Sequence, residues 1–259
     1  LRFCLEQKSS RSLLATYEQE RKPIAEKLIS FDQKYLKLFA KLDVGHDGFL
    51  EAYLQAMKFT TGIGIQYSPS LVVKPDVLAT RNKFANNLAP GMRIPDFQMV
   101  NQSDGVPITA HHRFTSDGRF RILVFPGDIS KERPFSRLEQ FGKWLAATGL
   151  GAEPSRAQGR LSDSGLETIT IHNAKRSQIE LMDLHEMFRP WSDNDGWDYW
   201  RVYADDESYH DGHGHLYEWC GINSEDGCVV ILRPDGYVSL ICGLEDVDIV
   251  DAFFLDLHR

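Results

Sequence analysis

Apolar positions change their spacing partway along the chain, and that change divides it. From Ser12 to Phe39, the residues Leu13, Leu14, Tyr17, Ile24, Leu28, Phe31, Tyr35 and Leu38 recur at helical spacing. Pro23 interrupts the run and disfavours helical backbone at Lys22. The pattern therefore predicts two helices, the second carrying Pro23 in its first turn. Leu42 to Gly48 is a polar break, and Phe49 to Phe59 predicts a further short helix. Thr60 to Pro75, rich in Gly, Ser and Pro, reads as irregular chain. A boundary near Lys74 to Arg81 then separates a helical tail, residues 1–75, from a second domain, residues 76–259.

Beyond that boundary short apolar runs alternate with helical ones. Strands are expected at Arg121 to Phe125, Glu167 to Ile171, Tyr199 to Tyr203, Val229 to Leu232 and Tyr237 to Ile241. Helices are expected at Phe135 to Thr148, with Gly149 as its stop, around Gly214 to Cys220, and after Asp246. In the last of these Val247, Val250, Phe254 and Leu257 share a face. Arg233-Pro234-Asp235-Gly236 has the residues of a tight hairpin turn. Strand and helix, strand and helix, then hairpin and helix is the order of a thioredoxin-like α/β fold with a mixed sheet.

Composition narrows the partners more than the fold. The 259 residues are 42% hydrophobic and 25% charged, with a net charge of −8 and no basic stripe. Nucleic acid and anionic membrane are not expected partners. No apolar run is long enough to span a bilayer, and the first residues form no secretory leader. Cys4, Cys220, Cys228 and Cys242 include no C-x-x-C pair, which fits a reduced, cytoplasmic protein. Leu1 falls within an amphipathic segment, as expected of a piece of a longer polypeptide.

Several segments together carry a resemblance. Leu13-Leu14-Ala15-Thr16-Tyr17-Glu18-Gln19-Glu20-Arg21-Lys22-Pro23-Ile24-Ala25 resembles the helix that closes the flavin domain of single-component aromatic hydroxylases. Phe31-Asp32-Gln33-Lys34-Tyr35, the loop Phe59 to Tyr67 and Pro90-Gly91-Met92-Arg93-Ile94-Pro95 resemble the phenol 2-monooxygenase branch. So do Asp117 to Phe125, Arg201-Val202-Tyr203-Ala204-Asp205 and Arg233 to Val238. The chain is thus similar to the C-terminal portion of a phenol 2-monooxygenase-like, FAD-dependent aromatic hydroxylase.

That resemblance implies a terminal thioredoxin-like domain that lacks redox cysteines and supports a homodimer. It also implies FAD and NADPH for the parent enzyme, with the cofactor carrying the difficult chemistry, and packing on upstream flavin and substrate domains. The departure is that no G-x-G-x-x-G fingerprint occurs here. No catalytic, cofactor-binding or metal-binding residue is therefore expected within the chain.

Several features invite chemistry and have plainer readings. Phe125-Pro126-Gly127-Asp128 resembles a flavin-ribose motif but continues into Ile129-Ser130-Lys131-Glu132, as a strand-end turn would. A thioredoxin would place its low-pKa thiol at this point, yet no cysteine occurs from Asp128 to Arg137. Cys220, Cys228 and Cys242 are expected in helix, loop and strand as small core residues.

Tyr209-His210-Asp211-Gly212-His213-Gly214-His215 offers three imidazoles and a carboxylate to a metal, or is a polar loop capping the next helix. His111-His112-Arg113 reads as a polar strand edge. The groups Asp43, Asp47, Gly48, Glu51 and Asp193, Asn194, Asp195, Gly196 lack the ligand alternation of a calcium loop.

The aromatics from Trp191 to Trp219 can serve either as core or as subunit or interdomain contact. A competing functional reading is a stand-alone, cofactor-free enzyme or small-molecule binder derived from the hydroxylase tail. Such a protein would use His210, Asp211 or His213.

Overall fold

A computed structural model describes residues 11–40, 46–148, 150, 165–192, 196–209 and 214–258. A 3-10 turn, Arg11–Leu14, leads into helix α1 (Ala15–Ala40). This is one helix and not the expected two, for Pro23 lies inside it. Pro23 and Gln19, the residue whose carbonyl loses its helical partner, both face solvent, where water can satisfy that group. Helix α2 (His46–Thr60) follows, and Phe31 of α1 stacks on Phe59 of α2 with ring centroids 5.8 Å apart. Helix α3 (Leu78–Phe84) is short.

The chain then enters the sheet. β1 (Gln98–Asn101) and β2 (Pro107–Thr109) form an antiparallel pair, followed by the one-turn helix α4 (Ala110–Arg113) and β3 (Phe120–Phe125). Helix α5 (Glu132–Thr148) leads on to β4 (Leu166–His172). A two-stranded ribbon of β5 (Trp191–Ser192) and β6 (Gly196–Trp197) stands apart from the main sheet. β7 (Val202–Ala204), helix α6 (Leu216–Cys220), β8 (Cys228–Leu232), β9 (Val238–Cys242) and helix α7 (Val247–His258) complete the chain.

The sheet order is β2-β1-β7-β4-β3-β8-β9. The three central strands, β7, β4 and β3, run parallel, while the outer neighbours pair antiparallel. With helices on the sheet, this is a thioredoxin-like α/β fold preceded by a helical extension.

Every residue of β3, β4, β7, β8 and β9 is buried, because both faces of the sheet are covered. The period of two in each strand divides its side chains between two cores. Phe120, Ile122, Val124, Val229 and Ile231 meet Leu138, Phe141 and Leu145 of α5 and Val250, Phe253 and Leu257 of α7. Leu123, Phe125, Ile169, Ile171, Val230 and Leu232 meet Phe97, Tyr203, Leu216 and Tyr217.

The edge of β9 is partly occupied. Lys74 N donates to Ser239 O at 2.8 Å, Gly91 N to Val238 O at 2.7 Å, and Val238 N to Met92 O at 2.8 Å. The expected strand at Tyr199 begins only at Val202. Upstream of it, Trp200 N bonds Asp198 Oδ1 at 2.9 Å and the chain turns.

Helix α1 is tied to the sheet through the Arg233 hairpin. Arg233 Nη2 donates to Glu20 Oε2 at 2.9 Å, and the guanidinium lies over the Tyr67 ring, 5.2 Å from its centroid. Gly236 N closes the hairpin on Arg233 O at 2.9 Å, as the Arg-Pro-Asp-Gly sequence predicts.

Candidate functional site: the strand ends and the exposed apolar faces

Parallel strands present their C-terminal ends together, and in this fold β3, β4 and β7 do so beside the start of α5. There Phe125 gives way to Pro126, Gly127 and Asp128. Gly127 has φ +88°, and a Cβ on it would lie 2.1 Å from Ser224 O. Only glycine therefore fits at this close backbone approach. Gly127 N donates to Tyr217 Oη at 3.0 Å, and Tyr217 Oη in turn donates to Ile171 O at 2.7 Å. Asp128 Oδ1 accepts from Ser130 N and Oγ, at 3.2 and 2.6 Å.

The segment from Asn223 to Gly227 closes over the start of α5. Lys131 reaches Glu225 at 3.4 Å, Arg133 reaches Asp226 at 3.4 Å, and Arg137 Nη1 donates to Glu225 O at 3.2 Å. A helix start that could activate a nucleophile is here a strand-end turn holding a carboxylate and a hydroxyl. Cys228 is the register partner of Phe125 at this strand end, Cys220 and Cys242 lie on α6 and β9, and all three are buried. Burial pushes the thiols of Cys220 and Cys242 up to about 12, and that of Cys228 well above its ordinary value. Cys228 opens β8 and is not in a loop.

A polar cavity of about 450 Å³ adjoins these strand ends, lined among others by Asn173, Lys175, Asp205, Asp206, His215 and Glu218. Its carboxylates have partners within the fold. Asp205 accepts from Leu216 N and Tyr217 N, both at 2.9 Å, and so caps α6. Burial raises the pKa of Asp205, and the two amides oppose that rise. Asp206 accepts from Arg176 N at 2.7 Å and Lys175 Nζ at 3.0 Å.

His215 stands 3.4 Å from Glu218 and stacks on Trp219. His210, Asp211 and His213 lie outside the described residues, as do Asp43 and Asp193 to Asp195. Among the described residues no three His, Cys, Asp or Glu side chains converge on a metal-sized site. His111 and His112 belong to helix α4 and not to a strand edge. Asp96 Oδ1 accepts from His111 N at 2.8 Å and holds that turn, and His111 Nε2 lies 2.9 Å from Ile94 O.

Two buried polar groups carry no signal that a scan for catalytic motifs would find. His172, at the end of β4, has Nε2 3.1 Å from Gln102 Oε1, and burial pulls its pKa down to about 4. At the other end of the sheet, Arg121 and Glu167 are register partners on β3 and β4. Arg121 Nε donates to Glu167 Oε2 at 2.8 Å, and Arg113 Nη2 donates to Glu167 Oε1 at 2.7 Å. Arg121 Nη2 also donates to Asp117 Oδ2 at 2.8 Å. The signal in the sequence is a lone charge at the second position of each of two otherwise uncharged, apolar-rich runs, Phe120 to Phe125 and Leu166 to Ile171.

The aromatics between Trp191 and Trp219 divide by position. Tyr203 and Tyr217 are core residues, whereas Trp191, Tyr199, Trp200, Tyr209 and Trp219 are exposed. Apolar exposure is also concentrated on the leading helices. Tyr17, Leu28, Ile29 and Leu36 of α1 and Leu50, Tyr53, Leu54 and Met57 of α2 all face outward. Exposed apolar side chains concentrated on neighbouring helices are of the kind that interaction sites use.

Residues 65–258 match the family described as "Phenol hydroxylase, C-terminal dimerisation domain". A phenol 2-monooxygenase of Aspergillus fumigatus, fsqG, is 59% identical over 255 residues, covering 98% of this chain and 42% of the relative. The 3-hydroxybenzoate 4-monooxygenase of Comamonas testosteroni is 29% identical, over 98% of this chain and 40% of its own length.

Among solved structures, aklavinone-11 hydroxylase in a ternary complex with FAD and aklavinone superposes with a TM-score of 0.51 at 15% identity. The match covers 99% of this chain and 37% of that one, and bears on the fold alone. The chain spans about two-fifths of the curated relatives it matches. No described helix is long and apolar enough to cross a membrane. This chain belongs to the phenol hydroxylase C-terminal dimerisation domain family and corresponds to the C-terminal part of phenol-hydroxylase-like monooxygenases.

Proposed function

We propose that the chain is the structural and dimerising section of a cytoplasmic, FAD- and NADPH-dependent phenol-hydroxylase-like monooxygenase, and that none of its own residues is catalytic. Residues 1–75 then form the helical tail of the flavin and substrate region, and 76–259 the dimerisation domain. The observation that carries this reading is the outward apolar face of α1 and α2. Helix α1 is pinned to the sheet through Glu20 and Arg233, and α2 stacks on α1 through Phe59 and Phe31, but the two leave Tyr17, Ile29, Leu36 and Leu54 in water. Upstream domains of the parent would cover those residues, at roughly 25 cal/mol per Å² of apolar surface removed from water.

The β3 turn does not fit a flavin ribose. Gly127 is closed against Ser224, and the Asp128 carboxylate is turned onto Ser130. FAD would therefore sit upstream and supply the oxygen chemistry there, while this section fixes the upstream domains and the second subunit. Titration of the purified chain with FAD, followed by flavin fluorescence, tests the reading. No saturable quenching and no phenol-dependent NADPH oxidation are expected. Stoichiometric FAD binding contradicts it.

A further inference from the structure

We infer that the second copy of this chain docks on the aromatic surface beside the β2 edge of the sheet, through Val106, Met182, Trp191, Tyr199 and Trp200. The inference rests on the dimerisation reading and assigns it a place. The family match begins at residue 65, so the subunit contact belongs to the sheet domain and not to the apolar faces of α1 and α2.

Within that domain the five residues form one surface. Asn101, on β1, joins two of them, because its N–H donates to Val106 O at 2.9 Å and its Nδ2 to Tyr199 O at 3.0 Å. Trp200 N bonds Asp198 Oδ1 at 2.9 Å, and Asp198 N bonds Pro190 O at 2.9 Å, next to Trp191. Arg189 donates to Met182 O at 3.0 Å and lies over the Trp197 ring, which meets Trp191 edge-on at 5.1 Å.

Trp191, Tyr199 and Trp200 are 44%, 46% and 46% exposed. At about 200 Å² for a fully exposed aromatic side chain, the three offer roughly 300 Å². That is a substantial part of the roughly 800 Å² per partner that a stable interface buries. Large aromatics are also the residue type that dominates the binding energy of such contacts.

The opposite edge of the sheet holds the competing surface, a groove of about 470 Å³ between residues 74–80, β9 and α7. Val77 and Ile249 are exposed there, but Asp76, Asp246 and Asp248 line the same groove, together with one cation, Lys74, which Asp256 holds at 2.9 Å. In a two-fold contact each patch meets its own copy, so these carboxylates would face one another. Like-charge juxtaposition disfavours self-association through that face.

Sedimentation velocity of the full chain over a concentration series tests the assignment. A concentration-dependent dimer is expected for the wild type. Tyr199→Ser with Trp200→Ser should weaken it by roughly 100-fold or more, and Val77→Ser with Ile249→Ser should leave it unchanged. If the aromatic variant dimerises as tightly as the wild type, or the groove variant dissociates, the location is overturned and the dimerisation reading stands. A wild type that is monomeric at every concentration overturns both.

Should the aromatic variant fail to fold, hydroxyl-radical footprinting of the wild type decides. Met182, Trp191, Tyr199 and Trp200 should be protected in the concentrated sample relative to the diluted one. Equal labelling at the two concentrations overturns the assignment.

Discussion

Replacing Glu167 by alanine removes the anion on which four guanidinium groups, those of Arg113, Arg121, Arg119 and Arg201, converge inside the protein. The Glu167 side chain is 3% exposed and Arg121 1%, with Arg113 close to the same state at 11%. Without the carboxylate, Arg121 keeps Asp117 at 2.8 Å, but Arg113 loses its charged partner at 2.7 Å and keeps only Tyr203 Oη and Trp200 O. Breaking a buried pair from one side costs about 3–5 kcal/mol, because a charge stays behind without compensation. For a protein of this size 1 kcal/mol moves the melting temperature by roughly 2–4 °C. Glu167→Ala should therefore lower it by roughly 6–20 °C in a circular dichroism or calorimetric melt. Arg133→Ala is the control. Its pair with Asp226 is 67% and 32% exposed, so the loss should stay near 1 kcal/mol.

The same network sets an acid limb. Burial raises the Glu167 pKa, but Arg113, Arg201 and Arg119 together hold it below the ordinary carboxylate range. With the folded value depressed, the stabilisation is present above the unfolded pKa of about 4.3 and is lost as pH falls through the folded one. Glu167→Gln should flatten that limb. A Glu167→Ala protein melting within 2 °C of the wild type, on the order of 1 kcal/mol or less, would refute the reasoning.

Other consequences follow from single residues. His172 is neutral in the fold with its pKa near 4, so the unfolded chain binds more protons between about pH 4 and 6.5. Wild-type stability should fall by roughly 3 kcal/mol as pH drops across that window. His172→Gln, which can still bond Gln102, should remove most of this dependence in urea titrations at several pH values. Gly127→Ala forces a Cβ onto Ser224 O at a positive φ. It should cost several kcal/mol, on the scale of other strained backbone sites, and an unchanged melt would contradict the close approach. The buried thiols of Cys220, Cys228 and Cys242 should resist a thiol reagent in native buffer and react in guanidinium, as mapped by mass spectrometry. Fast native labelling of any of the three would contradict their placement.

Much of the fold is legible where burial on both faces demands unbroken apolar runs. Phe120 to Phe125 and Cys228 to Leu232 announce central strands because no polar alternation is needed there. The β1–β2 pair escapes such a reading, since Gln98–Asn101 and Pro107–Thr109 are too short and polar to form a period. Pro23 misleads because local sterics predict a break, while the solvent-facing side of α1 tolerates the lost hydrogen bond. The partition of the aromatics is decided in three dimensions. Tyr203 lies on β7 and points into the core, whereas Trp200, three residues earlier, lies in the turn that Asp198 holds. Spacing along the chain does not encode that difference. That no cysteine stands at the start of α5, by contrast, is read directly from the residues Asp128 to Arg137.

Sedimentation equilibrium of the full chain, purified in the presence of FAD and followed by both protein and flavin absorbance, decides whether this section joins subunits without holding the flavin. A colourless species of twice the chain mass is expected. A monomer that carries flavin down the cell in equal amount would overturn the proposal.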